Sequence, residues 1–445
     1  MRRESIPGHV WWLNPAWVAG LMGLLVSVSA YLIPEAMYLA QWKTPKYFDS
    51  EYLVISLGLT LLFAFGVVAA MALGKSHSQQ ATDWKRDLPW DSIHIVFWAC
   101  VVLTCAGYLI WGAAAVVRGA NVDVAWGVLR GEKGAISVMK DTYLGTISGV
   151  TTLTQLGIPA MIFGVMIGAA EGWKKVLAPL TIVFVLAVIR AMFNAERLAI
   201  IELAIPAVVL FLRVQVFESP RFRGSFKAAL QFVPIGAGAL LIGIFGVFEY
   251  FRSWSSYYAG GDQTFWQFVV LRLTGYYVTA LNNGALMASR IDPVWAPYSV
   301  LHFLWRFPIS GKLMNAAYPL IKLDVVNMDP YMQMLDREAN PEFNNSSALL
   351  PPVVDFGVAG AMLFWLLAGI LCGLLYRWFM DGKVSGLLLY PLFFTGVTET
   401  TRIMYWGEGR AVTAMLILVP FAWFCGTCAK RAYQFERRIG WLQSH

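Results

Sequence analysis

Charge is scarce in this chain. Only 14% of its 445 residues are Asp, Glu, Lys or Arg, against roughly 25% in a typical soluble domain, while 58% are apolar. So large an apolar surplus cannot be hidden in one soluble core, which excludes a water-soluble enzyme and a disordered chain. Histidine and cysteine are also rare, five of each, and none stands at metal-ligand spacing: there is no HxxxH, no DxD and no Cys/His cluster. Cys100, Cys105, Cys372, Cys425 and Cys428 all fall in or at the ends of apolar stretches, so no disulfide framework is implied. Cys425 and Cys428 have redox-motif spacing but no His or acid beside them, and read as packing thiols. A glycine-rich phosphate loop, an internal repeat of the transporter kind and low-complexity sequence are missing too. No metal or other cofactor is therefore expected, and no direct use of ATP.

What the chain does have is apolar blocks of about 18 to 25 residues, long enough to cross a ~30 Å hydrocarbon layer as helices. They lie at 11–33, 52–73, 93–117, 149–169, 176–194, 198–213, 228–250, 355–379, 386–400 and 411–428. The pattern predicts an all-α polytopic integral membrane protein with about ten transmembrane helices, and excludes a transmembrane β-barrel. It divides into an N-terminal bundle of about seven helices at 1–250, a large loop at 251–354, about three helices at 355–428 and a basic tail at 429–445. Arg2-Arg3 precedes the first block without a small-residue cleavage site, so that block reads as a membrane helix rather than a removable signal. The fifth and sixth blocks, separated only by Ala191 to Glu196 between Arg190 and Arg197, form either a tight hairpin or one broken helix.

Allocating charge to alternate sides tests the orientation. With the N-terminus inside, the inner segments hold 17 Lys/Arg and 8 Asp/Glu and the outer ones 17 and 19, so the net +7 separates into +9 and −2. Lys174-Lys175, Arg213, Arg221, Arg223, Lys227, Lys430-Arg431 and Arg437-Arg438 all fall on the inner side, as the positive-inside rule requires. Both termini are expected in the cytoplasm. The basic excess is thus topological and no sign of nucleic-acid binding.

The outer segment from Phe251 to Val354 is no simple linker. It carries Tyr257-Tyr258, Trp266, Tyr276-Tyr277, Trp295, Tyr298, Trp305, Tyr318 and Tyr331, with apolar residues at helical spacing from Phe265 to Met287 and prolines at 293, 297, 308, 319 and 330. That pattern predicts several short amphipathic helices on or in the outer leaflet. The aromatic faces suit interfacial anchoring, or sugar stacking and a lipid groove.

Ionisable residues at membrane depth are costly and need a partner or a task. Here they gather on the outer side in three places: Arg190, Glu196, Arg197 and Glu202; Glu399, Arg402, Glu408 and Arg410; and Arg272 with Tyr276, Tyr277, Asn282 and Asn283. A single arginine so placed serves equally as an interfacial snorkeler or half of an ion pair. Three such segments on one face point to a shared anion, because a guanidinium fork donates bidentately to phosphate oxygens and stays protonated. For general acid/base work the same side offers His302 and the carboxylates Glu202, Asp355, Glu399 and Glu408.

Three features carry a family resemblance: Asn194-Ala195-Glu196-Arg197-Leu198-Ala199-Ile200-Ile201 at a helix start, a large late outer loop, and Phe343-Asn344-Asn345-Ser346-Ser347 leading to Val354-Asp355-Phe356-Gly357-Val358-Ala359-Gly360 before a span. With these the chain resembles the O-antigen polymerase (Wzy-type) and oligosaccharide repeat-unit polymerase family. The resemblance covers most of the chain in architecture and these short motifs in sequence. It implies a GT-C-like fold in a bacterial inner membrane and metal-independent transfer of a growing glycan from undecaprenyl diphosphate to a lipid-linked repeat unit at the periplasmic face, in O-antigen or exopolysaccharide biosynthesis. Its partners would be the undecaprenyl-diphosphate-linked oligosaccharide, membrane lipids and a polysaccharide chain-length regulator. Carried over, Arg197 and Arg190 would hold the diphosphate leaving group, with His302 or Glu399 as base. Arg272, Tyr276, Asn282, Asp355, Arg402 and Arg410 would bind substrate, Asp355 also capping its own helix. An O-antigen ligase, which would use a His in the large loop, and a glycolipid transporter or flippase are the alternative expectations.

Overall fold

A computed structural model describes residues 10–73, 84–147, 149–194, 196–218, 225–318 and 330–443. Among them the chain is all helical apart from one isolated bridge, Ser347 to Ile403. In chain order the main helices are α1 (Pro15–Leu32), the short α2 (Glu35–Trp42), α3 (Ser50–Leu73), α4 (Trp90–Val117), α5 (Gly157–Glu171), α6 (Leu177–Asn194) and α7 (Leu198–Phe211). They continue with α8 (Val233–Glu249), α9 (Phe265–Arg290), α10 (Pro351–Met380), α11 (Val384–Glu399) and α12 (Gly409–Gln443). Among the described residues eight helical stretches are long and apolar enough to cross a membrane; α8 and α11 are apolar but only 17 and 16 residues long. Each of the ten apolar blocks is mostly helical, the one at 228–250 being divided at Phe232 and the one at 149–169 entering α5 through a short helix and a 3-10 turn. The fifth and sixth form a hairpin of two separate helices, and the tail expected at 429–445 continues α12 to Gln443. Arg2, Arg3, Ala195, Arg221 and Arg223 lie outside the described residues.

Polar contacts sort the connecting segments into two sets that alternate along the chain. On one face Trp12 Nε1 donates to Leu230 O at 2.8 Å, Tyr390 Oη to Leu13 O, and Arg213 to Phe379 O and Met380 O at 2.8 and 3.0 Å. Lys85 pairs there with Glu218, and His94 and Lys175 with Glu171. On the other face segments 42–48, 190–202, 249–290, 338–355 and 399–410 bond to one another. That alternation is what successive membrane crossings require.

The tightest helix pair is α3 with α10. A Cβ on Gly373 would lie 2.7 Å from Val67 O, and Cβ atoms on Gly66 and Gly369 would overlap Leu366 O and Phe63 O. Small residues four apart let the two backbones meet, the usual means of joining helices where lipid cancels the hydrophobic drive.

The large loop departs from expectation. Short helices do occur, at His302–Arg306, Pro308–Ala317 and Pro330–Glu338, but α9 is one continuous helix of 26 residues, about 39 Å at 1.5 Å per residue. All five prolines follow Arg290, so nothing interrupts it, and a capping box of Thr264 with Gln267 starts it. It is no surface helix. Residues 278–287 are buried on every side, and Val278, Leu281 and Ala285 share a core with Trp42, Phe63 and Trp365. The loop is therefore built into the bundle.

Gly369→Val is expected to lower the thermal midpoint markedly, since overpacking costs about 1–3 kcal/mol and here the clash is with backbone. Gly58→Val, on α3 with open space around it, is the control expected to melt like the parent in the same detergent.

Candidate functional site

The second face holds a cavity of about 680 Å³. Arg197 reaches it from the turn between α6 and α7, Arg272 and Tyr276 from α9, and Arg402 from the turn after α11. Glu132, Ser137, Lys140 and Asp141 line it from the stretch between α4 and α5, Tyr257 and Tyr258 from the irregular helix that follows α8, and Glu342, Asn344 and Asn345 from the segment before α10. The three arginine-bearing segments thus do converge.

Local structure explains how each arginine is presented. The Asn/Ser stretch clips onto the Arg402 turn, with Ser347 N donating to Arg402 O at 3.0 Å and Ala348 N to Thr400 O at 2.8 Å. Asn283 fixes that stretch from α9, donating to Phe343 O and Asn345 O at 2.6 and 2.8 Å. Arg402 Nε then pairs with Glu399 at 2.6 Å. Arg197 lies over the rings of Phe245 and Tyr276, its guanidinium carbon 4.1 and 4.9 Å from their centroids. Its Nη1 is 3.1 Å from Glu249 Oε1 without hydrogen-bond alignment. The other oxygen of Glu249 accepts from Arg272 Nε at 3.0 Å, and Arg272 Nη1 donates to Glu342 at 2.7 Å. Burial alone would weaken the charge on Arg272, but Glu249, Tyr276 and Glu342 more than offset it and its pKa rises.

Arg190 and Arg410 belong to a second cluster. Arg190 donates to Thr154 Oγ1 at 2.7 Å and to Glu196 at 2.9 and 3.2 Å. Glu196 also pairs with Arg410, whose Nη1 lies 3.3 Å from Glu202. Of the four charged residues in this cluster only Glu196 lines the cavity, so Arg190 and Arg410 sit behind it and tie α6, α7 and α12 together.

Four further expected site residues do not line it either. Asn282 is fully buried and clamps the α2–α3 connection, its Oδ1 accepting from Tyr47 N and Phe48 N and its amide donating to Pro45 O. Asp355 does not cap its own helix. It accepts from Ser299 N and Val300 N, both at 2.9 Å, while Gly357 breaks α10 at φ +68, a conformation glycine adopts freely. His302 stands edge-on to Tyr298 on a short helix, and Glu399 is held by Arg402.

Glu249 and Glu342 were not anticipated. Glu249 could have been found, because it is the one ionisable residue in α8 and stands at its end, where a charge needs a partner. Glu342 is an ordinary loop acid in sequence and gave no such signal. Among the described residues no group of three or more His, Cys, Asp or Glu gathers as a metal site.

The fold and cavity define a helical multi-pass membrane protein with a polar, arginine-walled chamber at one membrane face. Comparisons with protein-family models, curated proteins and solved structures return no match to this chain.

Asn282→Ala is expected to cost about 1–3 kcal/mol, since it strands the buried groups of the 45–48 segment, and to leave ligand binding in the cavity intact. Thermal unfolding alongside a binding assay checks this; lost binding at parental stability would return Asn282 to the site.

Proposed function

We propose that this chain is a polysaccharide polymerase of a bacterial inner membrane, working at the periplasmic face with both termini cytoplasmic. It would transfer a growing glycan from undecaprenyl diphosphate to an incoming lipid-linked repeat unit. The observation that carries the reading is the meeting of Arg197, Arg272 and Arg402 on one cavity beside Tyr257, Tyr258 and Tyr276. Guanidiniums suit a diphosphate, and the exposed rings of Tyr257 and Tyr258 suit sugar faces. The position of the cavity at the end of apolar helices suits a substrate whose tail stays in lipid.

In the reaction an acceptor hydroxyl oxygen bonds to the anomeric carbon of the donor glycan while that carbon's bond to the phosphate oxygen breaks. The electron pair leaves with undecaprenyl diphosphate, and the hydroxyl proton passes to a base. Preorganised positive charge at the leaving oxygen stabilises the transition state, the role of the three arginines. Arg197 suits it best, being held by two rings and a buried carboxylate so that it needs no reorganisation. With His302 off the cavity and Glu399 bound to Arg402, the base is sought among the cavity's own carboxylates, of which Glu196 and Glu342 are held by arginines, leaving Glu132 and Asp141. The same displacement of His302 weighs against a ligase using that histidine.

Purified Arg197→Ala, supplied with undecaprenyl-diphosphate-linked repeat units, is expected to extend them about 10²- to 10³-fold more slowly than the parent while reaching the membrane at parental level. Extension at the parental rate would remove Arg197 from the mechanism. Failure of the parent to extend any lipid-linked repeat would remove the polymerase reading.

A further inference from the structure

Arg272 carries two carboxylates that differ in one decisive respect. Glu249 has no exposed side-chain surface, whereas Glu342 is 51% exposed and lines the cavity. We propose that Glu249 is the permanent counter-ion that positions Arg272, and that Glu342 is an exchangeable one, occupying Nη1 of Arg272 until an oxygen of an incoming diphosphate replaces it. This deepens the polymerase reading and rests on it for the identity of the anion.

The surroundings of Glu342 allow the exchange. Its backbone is anchored on both sides: the Asn340 amide donates to Trp42 O at 2.8 Å and its Oδ1 accepts from Glu342 N at 2.9 Å, while Asn283 holds Phe343 O and Asn345 O. Phe343 is buried beneath the Arg272 guanidinium, 5.1 Å from ring centroid to guanidinium carbon. The segment is fixed, and only the half-exposed side chain needs to turn toward water for Nη1 to be released. Glu249 has no such route, since moving it would strand Arg197 and Arg272 together. The 2.7 Å bond from Nη1 to Glu342 marks a position where an anionic oxygen is accepted at hydrogen-bond distance. Only the Glu342 end of the pair meets water, so a released Glu342 carboxylate is resolvated while Arg272 stays buried and in need of an anion, and a doubly charged phosphate group competes for the guanidinium better than one carboxylate. A cavity guarded in this way would refuse weak monoanions and admit a diphosphate.

The test measures inorganic pyrophosphate binding to the purified full-length protein in detergent by calorimetry. Glu342→Gln removes the competitor and is expected to bind roughly 2- to 5-fold more tightly than the parent, a modest gain because water takes up the half-exposed carboxylate that the parent must displace. The gain should shrink as ionic strength rises. Glu132→Gln, a carboxylate lining the same cavity without bonding Arg272, separates exchange from a general loss of negative charge and is expected to change affinity less. Equal or weaker binding by Glu342→Gln, or an equal gain in Glu132→Gln, overturns the exchange while leaving the polymerase reading to its own extension assay. A parent that binds no pyrophosphate overturns the exchange and the diphosphate site together.

Discussion

The arginine wall depends on one carboxylate that water does not reach. Glu249 ends α8 and meets Arg197 and Arg272 with its two oxygens, one guanidinium on each. An uncompensated buried charge costs several kcal/mol, so each member of this trio needs the others. One acid shared by two arginines leaves one positive charge over, which Glu342 covers on Arg272 in this structure. A simple ion pair would be neutral and offer an anion little; two arginines without the acid would repel and turn apart. The trio holds both guanidiniums in place while remaining net positive.

The rest of the site face extends the same device. Arg402 leans on Glu399, and Arg190, Glu196, Arg410 and Glu202 form a chain behind the cavity. The second cluster joins three helices at their ends, and Glu196, which also lines the cavity, connects frame and chamber. Arg190, Arg197, Arg272, Arg402 and Arg410 are each paired with a carboxylate, so the proposed anion would be met by particular arginines on a face whose segments sum to −2. Attraction comes from guanidinium edges presented at fixed places, and the general field contributes little.

Much of this was legible in the residues. The apolar blocks marked the helices because length and hydrophobicity leave few alternatives in lipid. Arg197, Arg272 and Arg402 could be read as convergent because alternate crossings carry all three to one side. The rest required tertiary packing. The aromatic stretch from Phe265 to Arg290 has the composition of an interfacial helix, and only its burial against α1 and α10 makes it a central strut. Asn282 and Asp355 look like ligand residues by type, yet their polar atoms serve backbone groups of the 45–48 and 299–300 segments, pairings that sequence spacing does not encode. Residues 122–143, which supply a wall of the cavity, fall between two apolar blocks and carry no motif that singles them out.

Taken together, a rigid, carboxylate-braced arginine wall at a membrane face beside exposed tyrosines is chemistry suited to gripping a lipid diphosphate while its glycan is moved. The most direct measurement is a structure of the protein in a lipid nanodisc with a non-transferable undecaprenyl diphosphate analogue. Diphosphate density is expected within hydrogen-bond distance of Arg197, Arg272 and Arg402, with Glu342 turned away from Arg272. A headgroup bound elsewhere, with Glu342 still on Arg272 and the cavity unchanged, would contradict it.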